Sequence, residues 1–184
     1  MGDGSGKRGS VLIGMGNILY GDEGVGVYAA RAIQRAFRFT PEVELIDGAR
    51  LGFGIIEFFC EPASLVLLDA LAADAPAGSI FRIPGAKLHE LSPQMRPTAH
   101  EVDPLQLLRT APLLGEPPDV TLVGIVAANT SDLALGLTPA LKEAFPEFIE
   151  TALSELRCKG VQVEQVGPVS LEDTISMLVA STYE

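Results

Sequence analysis

Short apolar runs alternate with segments of helical periodicity along most of this chain. Three of the runs are almost continuously apolar: VLIG at 11–14, LVLLDA at 65–70 and VTLVGIV at 120–126. Such runs indicate strands that are covered on both faces, as in a parallel sheet. Weaker runs predict further strands at 43–47, 80–83 and 161–166. We therefore expect an α/β fold in three layers, with a mostly parallel twisted sheet between helices on both faces.

The first predicted helix follows Gly24 and has apolar side chains at helical spacing: Val25, Tyr28, Ala29, Ala32, Ile33 and Ala36. Its polar face carries Arg31, Gln34, Arg35 and Arg38. Further helices are expected near 51–59 and 103–109. Another has Pro146 in its first turn and is stopped by Gly160. The last is opened by Ser170, which precedes Asp173 by three residues as in a weak capping box.

Composition and charge exclude several classes of protein. The 184 residues most simply form one domain, and we expect a disordered leader at 1–10 and a single α/β domain at 11–184. A net charge of −11 opposes binding to nucleic acid or to an anionic membrane. Cys60 and Cys158 form neither a disulfide framework nor a CxxC site, and no signal peptide is visible, so we expect a cytoplasmic protein.

The loop between the first strand and the first helix carries two consecutive carboxylates, Asp22 and Glu23, between glycines. In an open α/β sheet such a loop lies at the carboxyl end of a strand, where ligands bind. A purely structural interpretation is equally open, in which Asp22 caps the helix and Glu23 lies at its positive pole. The loop does not match a dinucleotide fingerprint, because Leu19 stands where the last glycine is needed.

A third carboxylate is predicted at the same edge of the sheet. Asp69 closes the run LVLLD, so it emerges beside the first loop if the two strands are parallel, although it could equally cap a following helix. His100 lies in a later loop and would complete an oxygen, oxygen, nitrogen donor set suited to nickel or zinc. We expect His89 to be an exposed loop residue. No G-x-S-x-G motif is present, which argues against an ordinary serine hydrolase.

The ordered combination of these features resembles the hydrogenase maturation endopeptidases. The resemblance rests on the strand-ending Asp69, on His100 and on the motif residues Gly16, Asn17, Leu19, Asp22, Glu23, Gly24 and Gly26. It implies an α/β enzyme that removes the C-terminal extension from the large-subunit precursor of a nickel-iron hydrogenase once nickel has been inserted. It also implies that Glu23, Asp69 and His100 are the metal-binding and catalytic residues, and that the precursor supplies the nickel.

We further expect Asp47 to border the cleft and Asp22 to hold its loop by capping, and we expect Asp47, Asn17 and Asp22 to contact the substrate. The family's Asp-Gly-Gly-Thr turn reads Asp47, Gly48, Ala49, Arg50 here, so its second glycine and its threonine are absent. Two alternatives to the processing enzyme therefore stay open. One is a noncatalytic assembly factor that docks the precursor or a metallochaperone. The other is a general peptidase of similar fold that cleaves without nickel in its substrate.

Overall fold

The computed structural model describes residues 8–50, 55, 57–58, 62–90, 96–97 and 118–182. Its strands are β1 (Arg8–Gly14), β2 (Phe37–Thr40), β3 (Val43–Asp47), β4 (Pro62–Ala72), β5 (Ile80–Pro84), β6 (Arg96–Pro97), β7 (Asp119–Val126) and β8 (Gln162–Gln165). Its α-helices are α1 (Val25–Ala36), α2 (Pro139–Cys158) and α3 (Leu171–Thr182). Short 3-10 turns cover Gly21–Gly24, Gly48–Arg50 and Gly85–Glu90.

The main sheet has the strand order β3-β1-β4-β7-β5. Strands β3, β1, β4 and β7 are parallel, whereas β5 pairs antiparallel with β7 and β6 pairs antiparallel with the end of β4. The predicted α/β fold with a mostly parallel sheet is confirmed. Because the four parallel strands run in one direction, their carboxyl ends lie at the same edge of the sheet.

The two faces of the sheet are covered differently. Helices α1, α2 and α3 all pack in one hydrophobic core, against the face that carries Leu12, Val66, Leu68, Val123 and Ile125. The opposite face packs against Ile55, Phe58 and Leu88. The helices predicted near 51–59 and 103–109 fall wholly or largely outside the described residues. In the part of the chain that the structure describes, no helix is long and apolar enough to cross a bilayer.

Three predictions about the ends or the pairing of elements differ from the structure. Strand β1 begins at Arg8, so the last residues of the predicted leader belong to the sheet, where Ser10 pairs with Val43 and Ser64. Helix α1 ends at Ala36, and Arg38, which was predicted on its polar face, lies in β2. The strand predicted at 161–166 exists as β8, but it pairs antiparallel with β2 in a separate two-stranded sheet.

The start of α2 was predicted wrongly. Pro139, not Pro146, occupies the first turn, and the helix continues through Pro146 for 20 residues in all. An internal proline removes one backbone hydrogen bond. The buried stripe of α2 compensates for this loss by packing on the sheet; it comprises Leu141, Phe145, Phe148, Ile149, Ala152, Leu153 and Leu156. Gly160, with φ at +84°, ends the helix as expected.

Candidate functional site

The loop between β1 and α1 folds tightly onto the carboxyl edge of the sheet because two glycines, Gly16 in the loop and Gly26 in the first turn of α1, allow close backbone contacts. Gly16 has φ at +118°, and a Cβ atom there would lie 1.8 Å from the carbonyl oxygen of Glu23. A Cβ atom on Gly26 would lie 2.2 Å from the carbonyl oxygen of Leu68 in β4. Side chains at either position would push the backbone apart. The glycines therefore hold the turn that carries Glu23 close to β4.

Glu23 and Asp69 both lie at this edge and are both buried, with exposed fractions of 7% and 0%. Strand β1 ends at Gly14, which pairs with Leu68, so Asp69 is the first residue of β4 beyond the end of β1. The Oδ1 atom of Asp69 accepts a hydrogen bond of 2.8 Å from the amide of Ala70. The fold thus brings carboxylates from two separate elements to one edge of the sheet.

Asp69 does not end its strand as the sequence suggested. Strand β4 continues for three residues to Ala72, and Asp69 pairs with Gly124 of β7. The alternative in which Asp69 caps a helix is therefore wrong. Asp69 therefore pairs with β7 on one side, whereas on the other side β1 has already ended.

His100, the third predicted metal ligand, lies outside the described residues. Among the residues that are described, no group of three His, Cys, Asp or Glu side chains is placed to hold a metal ion. The ligand set of Glu23, Asp69 and His100 therefore stays a prediction. His89 lies in the 3-10 turn Gly85–Glu90, next to the buried Leu88.

Asp22 is fully buried and acts as an anchor between two loops. Its carboxylate accepts four hydrogen bonds: from the amides of Ala128 (2.9 Å), Asn129 (3.1 Å) and Thr138 (2.7 Å), and from the Thr138 hydroxyl (2.9 Å). No side chain caps the 3-10 turn or α1, so the helix-capping interpretation of Asp22 is wrong. We assign Asp22 a positioning role, and its contact with substrate stays a prediction.

Further hydrogen bonds join the same two loops, and together with those of Asp22 we call them the clasp. The amide of Gly21 donates to the carbonyl of Ala134 (2.8 Å), and the amide of Ala134 donates to the carbonyl of Leu19 (3.0 Å). The Tyr28 hydroxyl donates to the carbonyl of Ile18 and accepts from the amide of Gly136. Burial raises the pKa of Tyr28, while the hydrogen bond from Gly136 opposes that rise.

Asp47 is the last residue of β3 and pairs with Gly14, so it borders the same edge. Its Oδ2 atom lies 3.3 Å from Nη2 of Arg31, and its Oδ1 atom accepts a hydrogen bond of 3.2 Å from the amide of Ala49. Within the described residues, the buried Nε atom of Arg31 has no hydrogen-bond partner. Arg31 was predicted only as part of a polar helix face, and its contact with Asp47 was missed because 16 residues separate them.

Asn17 is exposed and shapes the loop through its own backbone. Its Oδ1 atom accepts a hydrogen bond of 3.0 Å from the amide of Leu19, and its carbonyl accepts one of 3.1 Å from Tyr20. A side-chain turn of this kind fixes the entry to the loop. The predicted contacts of Asn17 and Asp47 with substrate are not tested by this geometry.

The chemistry of this edge is that of oxygen donors. Carboxylates, with one imidazole, suit a borderline divalent ion such as nickel or zinc.

Cys158 lies at the end of α2, next to Lys159, whose Nζ contacts Asp119 at the amino end of β7. That position is at the opposite end of β7 from the carboxyl edge, so Cys158 does not belong to the candidate site.

Comparisons with known proteins agree with this architecture. The family described as hydrogenase maturation protease (HycI) matches residues 27–155. The hydrogenase expression/formation protein HupD of Thiocapsa roseopersicina is 30% identical over 152 residues, which are 82% of this chain and 69% of that protein. The hydrogenase 2 maturation protease of Escherichia coli is 26% identical over 159 residues, 83% of this chain and 93% of that one.

The fold is similar to that of solved structures. The hydrogenase maturating endopeptidase HybD from Escherichia coli superimposes with a TM-score of 0.71 at 25% identity, covering 86% of this chain and 97% of HybD. The family match spans Asp47, Asp69 and His100, and the HybD match extends the likeness over most of the chain. The resemblance predicted from the motif is thus confirmed, and the chain belongs to the hydrogenase maturation protease family.

Proposed function

We propose that this protein is a processing endopeptidase that removes the C-terminal extension of a nickel-iron hydrogenase large-subunit precursor after nickel insertion. Membership of the maturation protease family supports the reaction class. The single observation that carries the proposal is that Glu23 and Asp69, from separate elements, are both buried at one edge of the sheet. Buried carboxylates at a ligand-binding edge are candidates for a functional site.

In this proposal the nickel is part of the substrate. Glu23 and Asp69 supply two oxygen donors and His100 supplies a nitrogen donor to the nickel that the precursor carries. The bound ion supplies Lewis acidity next to the scissile peptide bond. The chain's own contribution is to place Glu23 and Asp69 at fixed positions and to keep them away from bulk water.

In this proposal, selectivity for nickel-loaded precursor arises because part of the binding free energy comes from coordination of the nickel. A precursor without nickel gains no coordination at Glu23, Asp69 and His100, so its peptide bond is not positioned for cleavage. A loaded precursor gains that coordination, which orients the bond in the cleft. The protein thereby checks that the metal is present before the extension is removed.

The clasp prepares the site before substrate arrives. Asp22 is the immediate neighbour of Glu23, and its four hydrogen bonds fix the turn to residues 128–138. A donor that is already held in position loses little conformational entropy on binding. The buried anchor therefore favours tight and specific recognition of a loaded precursor.

A second candidate function is a noncatalytic assembly factor that docks the precursor or a metallochaperone. The observation that favours it is the state of Asp47, whose two carboxylate oxygens are engaged by Arg31 and by the amide of Ala49. In this candidate the loops bind the partner without cutting it.

The experiment that separates these functions uses the purified protein with nickel-loaded and nickel-free precursor. Mass spectrometry follows the release of the C-terminal peptide. The proposed function predicts release from the loaded precursor alone. Binding without release identifies the assembly factor, and equal release from both precursors identifies a general peptidase.

A further inference from the structure

Three exposed leucines lie on the two loops that the clasp joins. The exposed fractions are 46% for Leu19, 77% for Leu133 and 53% for Leu135. In the described part of the chain, the other large apolar side chains with comparable exposure are Val166 and Met177. We call Leu19, Leu133 and Leu135 the leucine rim.

Hydrogen bonds hold the segment that carries Leu133 and Leu135 in place. Ala134, which lies between two of the leucines, is held on both sides: its amide donates to Leu19 and its carbonyl accepts from Gly21. Asn129 and Gly136 are tied by further hydrogen bonds to Asp22 and Tyr28. Apolar side chains on a fixed surface bind a partner with little loss of conformational entropy. Leu133 and Leu135 flank Ala134, whose amide donates to the carbonyl of Leu19, so the three leucines are grouped on the surface, as apolar residues are at interaction sites.

The backbone of the rim also offers unpaired polar groups. Ala134 forms an isolated parallel bridge with Tyr20, which uses the amide and the carbonyl of Ala134. Among the hydrogen bonds of the described residues, none involves the backbone of Leu133 or Leu135. Unpaired backbone groups flanked by exposed apolar side chains are the features that bind an extended peptide by adding a strand.

We propose that the leucine rim binds an extended apolar segment of the precursor polypeptide next to the scissile bond, an inference that rests on the proposed function. The rim is continuous with the candidate site, because Leu19 lies four residues before Glu23 and the intervening Tyr20 and Gly21 contact Ala134. The rim's apolar side chains are bordered by Asp132, and the chain has a net charge of −11. The charge favours a segment that combines apolar with basic residues.

The test is the double variant L133S/L135S, with V166S as the matched control. Val166 has an exposed fraction of 49%, and its amide bonds to Ala36, at the end of α1 remote from the rim. Cleavage of nickel-loaded precursor is measured over a range of precursor concentrations. The proposal predicts a KM at least about tenfold higher for L133S/L135S with an unchanged kcat, since the variant loses the apolar surface of two leucine side chains that the bound precursor would bury. V166S is expected to keep the wild-type KM.

Several outcomes would overturn the proposal. An unchanged KM for L133S/L135S, or an equal rise for V166S, removes the rim from precursor recognition. Light scattering is run on the same samples, and a wild-type dimer that L133S/L135S converts to a monomer would assign the rim to a second copy of the chain instead. If wild-type protein does not cleave the precursor, the proposed function fails; direct titration of precursor against both proteins then decides whether the rim binds it.

Discussion

Asp22 and Thr138 lie 116 residues apart in the chain and are joined by two hydrogen bonds, of 2.7 Å to Oδ1 and 2.9 Å to Oδ2. The bonds connect the turn that carries Glu23 with the residue that precedes α2. The same carboxylate holds the amides of Ala128 and Asn129, which follow β7. One buried side chain thus fixes the loops of two parallel strands against each other.

Replacing this anchor should weaken the fold and the site together. In D22N an amide NH2 group replaces an oxygen that accepts bonds from N–H donors, so some of these donors lose their partner. We expect the free energy of unfolding to fall by about 3 kcal/mol, because charge-assisted hydrogen bonds in a buried site are among the stronger ones. Urea denaturation measures this change. The control is D132N, since Asp132 is exposed in the same segment, and equal stability of D22N and D132N would contradict the role of the anchor.

A substitution at Gly26 tests how closely α1 approaches β4. A Cβ atom there would lie 2.2 Å from a backbone oxygen of Leu68, which cannot move without disturbing the sheet. We expect G26A to lower the free energy of unfolding by about 2 kcal/mol or more, in line with overpacked cores. The control is G9A, whose Cβ atom would meet its nearest neighbour at 3.5 Å. A G26A protein that is as stable as G9A would show that the contact is not tight.

The surroundings of Glu155 predict how the free energy of unfolding depends on pH. It is 2% exposed and accepts hydrogen bonds from Arg82 and from the Thr121 hydroxyl, with Lys159 Nζ 3.3 Å away. Burial raises the pKa of Glu155, but the hydrogen bonds from Arg82 and Thr121 and the nearby positive charges outweigh it and hold the pKa below its ordinary value of 4.5.

A depressed pKa in the folded state means that the ionised form of Glu155 stabilises the fold above pH 4.5, and that this contribution is lost as the pH falls through the folded-state pKa. E155Q should therefore be less stable than wild type by about 3 kcal/mol at pH 7, where a buried ion pair is broken. The difference in the free energy of unfolding should narrow steadily below pH 4.5. A constant difference from pH 7 to pH 3 would contradict the lowered pKa.

Asp47 tests the predicted contact with substrate. Its ion pair with Arg31 is partly exposed, so D47N should change the free energy of unfolding by less than about 1 kcal/mol. If Asp47 contacts the precursor, D47N raises KM for the nickel-loaded precursor and shifts the melting temperature by no more than about 4 °C. E143Q, an exposed carboxylate on α2, is the control. A D47N protein with wild-type KM and kcat would exclude Asp47 from recognition.

The sequence carried enough information to predict the sheet and α1, because buried parallel strands are continuously apolar and α1 has a clear apolar stripe. It also predicted that Asp69 lies at the carboxyl edge. It predicted that Asp22 holds its loop, but by capping a helix; the actual partners of that carboxylate lie more than 100 residues away, and no local pattern marks them. The start of α2 was missed because tertiary packing outweighs the loss of one hydrogen bond at Pro146.

The most direct test of the account measures peptide release from the nickel-loaded precursor by E23Q, D69N and H100A, each compared with E143Q. If these three residues hold the nickel of the precursor, each of the three variants loses processing by about a hundredfold or more, consistent with the loss of a positioned group. E143Q processes at the wild-type rate. Normal processing by any one of E23Q, D69N or H100A would contradict the claim that the three side chains bind one ion.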